Sequence, residues 1–117
     1  MELTYDDVNG VRTIRLKGRL DLDGAAAIEM KLTSLIVTQQ MFVVVDLSAV
    51  DFLASMGLAT LVRSARAVRL RKGNMVLFNP IPSVRQVIAS TRIDQVLPVY
   101  MDLDEARRVA AAPFSDA

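Results

Sequence analysis

Five consecutive apolar residues, Met41-Phe42-Val43-Val44-Val45, show no alternation with polar types. Successive side chains of a strand point to opposite faces of its sheet. A run that is apolar at every position therefore needs cover on both faces. That is the mark of a central strand in a sheet sandwiched by helices.

The flanking segments supply that cover. Upstream, Asp21-Leu22-Asp23-Gly24 reads as a loop carrying a helix N-cap, with either Asp able to accept from free N–H groups. The following helix is expected to run to Thr38, with Ile28, Leu32, Leu35 and Ile36 on one face. Downstream, Asp46 is expected to end the strand and Leu47 to Ala54 to form a loop. A second helix is expected from Ser55 to Arg71, with Leu58, Leu61, Val62, Ala65 and Val68 as its apolar stripe. Arg63, Arg66, Arg69 and Lys72 are placed toward solvent, at the end where the helix dipole favours positive charge. Gly73-Asn74 is read as the stop of that helix.

The remaining elements repeat the alternation. Leu3 to Val8 and Val11 to Lys17 read as two strands, and Asn9-Gly10 between them is a preferred two-residue hairpin turn. Gly18 is a candidate bulge. Met75 to Phe78 reads as a short strand, Pro80-Ile81-Pro82-Ser83 opens a third helix, and Val96 to Tyr100 is a possible strand limited by Pro98. Asp102-Leu103-Asp104-Glu105 starts a last helix that Pro113 ends. The expected fold class is α/β, a mixed sheet of four to five strands with an N-terminal hairpin and about four helices. The chain has 117 residues, 52% of them apolar, which suits one domain with a real core. Residues 1–112 are read as that domain, and 113–117, with Phe114, as a short loose tail.

Composition removes several chemistries. There is no cysteine, hence no disulfide, thiol nucleophile or thiolate metal site. There is no histidine, so a Ser-His-Asp triad, a His metal pair and a His general base are all excluded. Neither Gly-x-Gly-x-x-Gly nor a P-loop is present. The net charge of +1 favours no polyanion, and no aromatics interleave the arginines, so direct nucleic-acid binding is not expected. No apolar stretch is long enough to span a bilayer. The expectation is a non-enzymatic, cytoplasmic binding module without cofactor or metal.

In helix-sandwiched parallel sheets, partners meet the loops beyond the carboxyl ends of the strands. Two segments qualify, Asp21 to Gly24 and Asp46 to Gly57. The second, Asp-Leu-Ser-Ala-Val-Asp-Phe-Leu-Ala-Ser-Met-Gly, resembles the signature of STAS domains of anti-sigma factor antagonists, Asp-x-Ser-x-Val-x-Phe-x-Asp-Ser-x-Gly-Leu-x-x-Leu. Asp46, Ser48, Val50, Phe52, Ser55, Gly57, Leu58 and Leu61 fall in register with it. Gly18-Arg19-Leu20-Asp21 is similar to that family's Gly-Glu-Leu-Asp. Pro82 to Ile88 with Thr91, Ile93 and Asp94, and Tyr100 to Ala106, resemble its later segments.

The resemblance implies a partner switch. Such proteins bind an anti-sigma factor that is also a serine kinase of the histidine-kinase-like ATPase fold. Phosphorylation of the motif serine breaks the complex, and a metal-dependent serine phosphatase restores it. By position the acceptor is Ser55, and the implied contact set is Asp21, Asp23, Ser48, Ala54, Ser55, Met56 and Gly57. Three positions depart from the pattern: Ala54 replaces the Asp before the serine, Met56 follows it, and Arg19 reverses the charge of the family's Glu.

The residues also carry plainer readings. Ser55 suits a helix N-cap, Ser48 a turn, Asp46 a loop-stabilising acceptor, Phe52 a core anchor under the loop and Gly57 close packing of the helix start. Three rival functions stand beside this one. An enzyme or nucleotide binder would need a site that no glycine-rich phosphate loop marks here. A receiver domain with Asp46 as phosphoacceptor needs a lysine after a late strand, and none follows Lys72. A STAS subunit docking on a transporter ATPase or a larger assembly shares the fold.

Overall fold

A computed structural model describes residues 1–114. Its elements are β1 (Glu2–Val8), β2 (Val11–Leu20), α1 (Leu22–Ile36), β3 (Phe42–Leu53), α2 (Ser55–Leu70), β4 (Asn74–Phe78), α3 (Pro82–Ser90), a 3₁₀ turn (Ile93–Gln95), β5 (Val99–Tyr100) and α4 (Leu103–Ala110). The five strands lie side by side in chain order, β1 antiparallel to β2 and the others parallel. Asn9 and Gly10 take φ of 52° and 80°, as a hairpin turn that matches strand twist requires.

The central strand is covered on both faces. Val43 and Val45 belong to the larger core, with Ile14, Leu16, Leu32, Leu61, Leu77 and Ile88. Val44 faces the other way, into a smaller cluster with Val11, Val76, Ala106 and Ala110. Helices α1, α2 and α3 thus close one face and α4 the other. All three valines are fully buried, each worth about 1.5–3 kcal/mol of transfer free energy.

Leu47 to Ala54 is not a loop. β3 continues without a break to Leu53, paired with β2. From Arg15 to Leu20 β2 advances five residues, while its partner positions Asp46 to Leu53 advance seven. The two surplus residues are bulges, one following Asp46 and one beside Gly18 and Arg19. Asp46 Oδ1 holds the first of them, accepting from Ser48 N at 2.9 Å and Ser48 Oγ at 2.6 Å. Bulges destroy the period of two, and polar Asp46, Ser48 and Asp51 then mimic a loop.

Smaller corrections have local causes. α1 ends at Ile36 instead of Thr38, and its N-cap is Asp21, not Asp23. At the end of α2 the left-handed residue is Lys72, φ 67°. Gly73 serves a close approach instead: a Cβ there would stand 1.9 Å from Met41 O. Only Val99 and Tyr100 of the late apolar segment are strand; Val96 follows the 3₁₀ turn. α4 ends at Ala110, ahead of Pro113. Arg69 is half-buried, its guanidinium 3.7 Å from the centroid of the Phe114 ring. Phe114 N donates to Gly73 O at 3.3 Å, so the tail is tied down at that residue. Residues 115–117 of the expected tail lie outside the described part.

Candidate functional site

The C-terminal ends of β2 and β3 lie together, and each feeds a helix. Ala54 N donates to Leu20 O at 3.1 Å, which ties the start of α2 to the end of β2. Gly57 makes this contact possible, because a Cβ there would stand 2.2 Å from Leu20 O. Two helix N-termini therefore emerge side by side, with their positive dipole ends at the same edge of the sheet.

The two N-termini are finished differently. On α1, Asp21 Oδ1 accepts from Gly24 N at 2.8 Å. That backbone hydrogen bond, opposed by slight desolvation and aided by Arg19, holds the Asp21 carboxyl below its ordinary pKa. On α2 the N-cap is Ala54, which has no side-chain acceptor. Ser55 is thus the first residue of the helix and not its cap. It occupies the position after the cap because Ala54, not Ser55, holds the extended conformation, with φ −103° and ψ 168°. Its side chain is exposed.

Around Ser55 the surface mixes apolar and charged groups. Leu22, Met56 and Phe52 are 59%, 47% and 41% exposed. Phe52 is therefore no core anchor. The second bulge turns it to the face opposite Leu53, where the Arg19 guanidinium lies 4.2 Å from its ring centroid. Arg19 Nε also sits 3.4 Å from Asp21 Oδ2. On the other side of Ser55 a groove of about 480 Å³ follows α2, lined by Val62, Arg63, Arg66 and Ile93.

Of the residues marked from sequence, Asp21, Ala54, Ser55 and Met56 converge at this edge, and Asp23 stands exposed in the first turn of α1. Gly57 is buried, so its contribution is to seat the helix. Ser48 lies apart, bonded to the Asp46 side chain and not to backbone, and lines a separate hollow with Ile81, Pro82, Arg85 and Met101. Asp46 is indeed an intramolecular acceptor, and Arg15 lies 3.9 Å from its second oxygen. Sequence reasoning did not mark Arg19 and Leu22 as surface contacts. Leu22 could have been found from its phase, since it falls off the Ile28–Leu32–Leu35 stripe.

The sequence model of the STAS domain matches residues 3–106. The chain belongs to the STAS domain family. BtrV of Bordetella bronchiseptica is 30% identical over 117 residues, covering all of this chain and 97% of its own length. The anti-sigma-F factor antagonist RsfB of Mycobacterium tuberculosis is 30% identical over 107 residues, 89% of this chain and 84% of RsfB. The crystal structure of an anti-sigma factor antagonist from Mycobacterium paratuberculosis superposes with a TM-score of 0.83 at 27% identity, covering 93% of this chain and 92% of that one. Among the described residues, no helix is long and apolar enough to cross a membrane.

Proposed function

We propose that this STAS chain is an anti-sigma factor antagonist. It binds an anti-sigma factor through the edge built by Asp21, Ala54, Ser55 and Met56, and so releases a sigma factor. The partner is a serine kinase of the histidine-kinase-like ATPase fold, acting in the cytoplasm. It transfers the γ-phosphoryl group of ATP to Ser55 Oγ, and a metal-dependent serine phosphatase removes it.

The observation that carries this reading is the placement of Ser55. It is an exposed hydroxyl on the first residue of a helix whose cap residue supplies no acceptor. A phosphate there meets free first-turn N–H groups and the positive end of the dipole, which favour its charge. Because the side chain points to solvent, about −1.5 to −2 charges are added without disturbing the core. A partner seated on Leu22, Met56 and Phe52 then faces an anion it must desolvate. Each 1.4 kcal/mol lost weakens binding about tenfold, so a few kcal/mol make a switch.

The test is capture from native lysate with wild type and Ser55→Asp, reading bound proteins by mass spectrometry. Retention of an ATPase-fold anti-sigma factor by wild type alone supports the reading. Retention of the same unrelated protein by both refutes it.

A further inference from the structure

Arg19 lies against Phe52 at the docking edge, and the serine switch just described makes no use of its charge. Arg19 is on β2 and Phe52 directly opposite on β3. The guanidinium lies over the ring at 4.2 Å, and its Nε faces Asp21 Oδ2 at 3.4 Å. The side chain nevertheless stays 61% exposed. Stacking on a ring and a hydrogen bond through Nε restrain the plane of the guanidinium, and its terminal amino groups make no hydrogen bond among the described residues. A planar fork held in this way loses little entropy on meeting a carboxylate, which it binds through two parallel N–H···O bonds. Exposed Leu22 and Met56 add apolar area on the same edge. An aromatic and an arginine amid apolar surface are the residue types that dominate binding energy at protein interfaces.

Other features of the molecule are less informative. The hollows beside Phe114 are shaped by the chain's own C-terminal segment. Two acids of β1 face their own partners, Asp7 to Arg12 and Asp6 to Arg15. Among the described residues, Arg19 combines exposure with a restrained guanidinium at the edge where a partner docks.

We infer that Arg19, held on Phe52, is a specificity determinant: it selects an anti-sigma factor that presents a carboxylate flanked by apolar side chains. This rests on the docking reading of the same edge. Asp21 restrains Arg19 in the free protein, and the partner's carboxylate completes the fork in the complex.

The probe is the purified anti-sigma factor retained by wild type in the capture experiment, titrated by calorimetry. Arg19→Glu is expected to weaken binding about tenfold to a hundredfold, with only a small drop in the thermal melt, because an exposed ion pair contributes little to stability. Arg19→Lys, which keeps charge but loses fork and stacking, should fall between. Exchanging one Asp or Glu of the anti-sigma factor for Arg should restore affinity toward Arg19→Glu while weakening it toward wild type. Equal affinity of wild type and Arg19→Glu overturns the inference and leaves the docking reading intact. So does a loss that no acid-to-Arg exchange on the partner rescues. If wild type itself binds no anti-sigma factor, the docking reading fails, and this inference fails with it.

Discussion

The bare N-terminus of α2 makes a quantitative expectation. Ala54 holds the extended conformation of an N-cap, φ −103° and ψ 168°, yet offers no acceptor. Replacing it with Asp places a carboxylate within reach of the N–H groups of Met56 and Gly57 without changing the backbone. An Ala-to-Asp change at an N-cap is worth about 1 kcal/mol, and a negative charge in the first turn adds about 0.3–1 kcal/mol at low salt. The two contributions overlap, so Ala54→Asp should gain about 1–1.5 kcal/mol. For a domain of this size that raises Tm by roughly 5 °C. Urea titration should show a higher midpoint with an unchanged m-value, since the surface exposed on unfolding is the same. Ala54→Asn should gain the capping bond without the charge. The difference between the variants should shrink with added salt. No gain from either substitution would refute the claim that these N–H groups are available to an anion, and with it the argument that the helix start favours phosphate.

Three further expectations follow from the same geometry. Gly57→Ala puts a Cβ 2.2 Å from Leu20 O and should cost more than about 3 kcal/mol or prevent folding, read by urea titration; a cost below about 1 kcal/mol would contradict the close seating of α2. Asp21 has a folded-state pKa below its unfolded one, so its contribution to stability is present above the unfolded pKa and lost as pH falls through the folded one. Asp21→Asn, which still caps α1, should therefore flatten the acid limb of urea midpoints between about pH 5 and pH 2, whereas parallel limbs would show that the carboxylate gains nothing on folding. Phe52→Ala removes a ring that is 41% exposed, so it should cost under about 1 kcal/mol of stability yet weaken anti-sigma factor binding at least as much as Arg19→Glu; a large stability loss would return Phe52 to the core.

The fold was legible where one period held over several residues. Val43, Val44 and Val45 demanded cover on both faces, and the helical spacing in α1 and α2 supplied the covering stripes. Asn9-Gly10 fixed the hairpin through its own conformational preference. Legibility failed where a local feature broke the period. The bulges after Asp46 and beside Arg19 hid the second half of β3, because two surplus residues shift side chains between faces. That same shift turned Phe52 outward, which no pattern of residue types announced. Lys72 took the left-handed position expected of Gly73, because the approach of Met41 O, a contact distant in sequence, decided where glycine was needed. At the site, Asp21 and Ser55 could be marked as helix-start residues from type alone. Their adjacency depends on the bond between Ala54 N and Leu20 O, and the Arg19–Phe52 stack depends on strand register; both are tertiary facts.

Phosphoryl transfer to Ser55 is measured by combining the purified chain, the anti-sigma factor it captures, and ATP. Phosphate incorporation is located by fragment mass spectrometry, and the complex is followed by size-exclusion chromatography. One phosphate is expected, on Ser55, with dissociation that keeps pace with its appearance and is absent in Ser55→Ala. Phosphate on another residue, or a complex that persists with Ser55 fully phosphorylated, would contradict it.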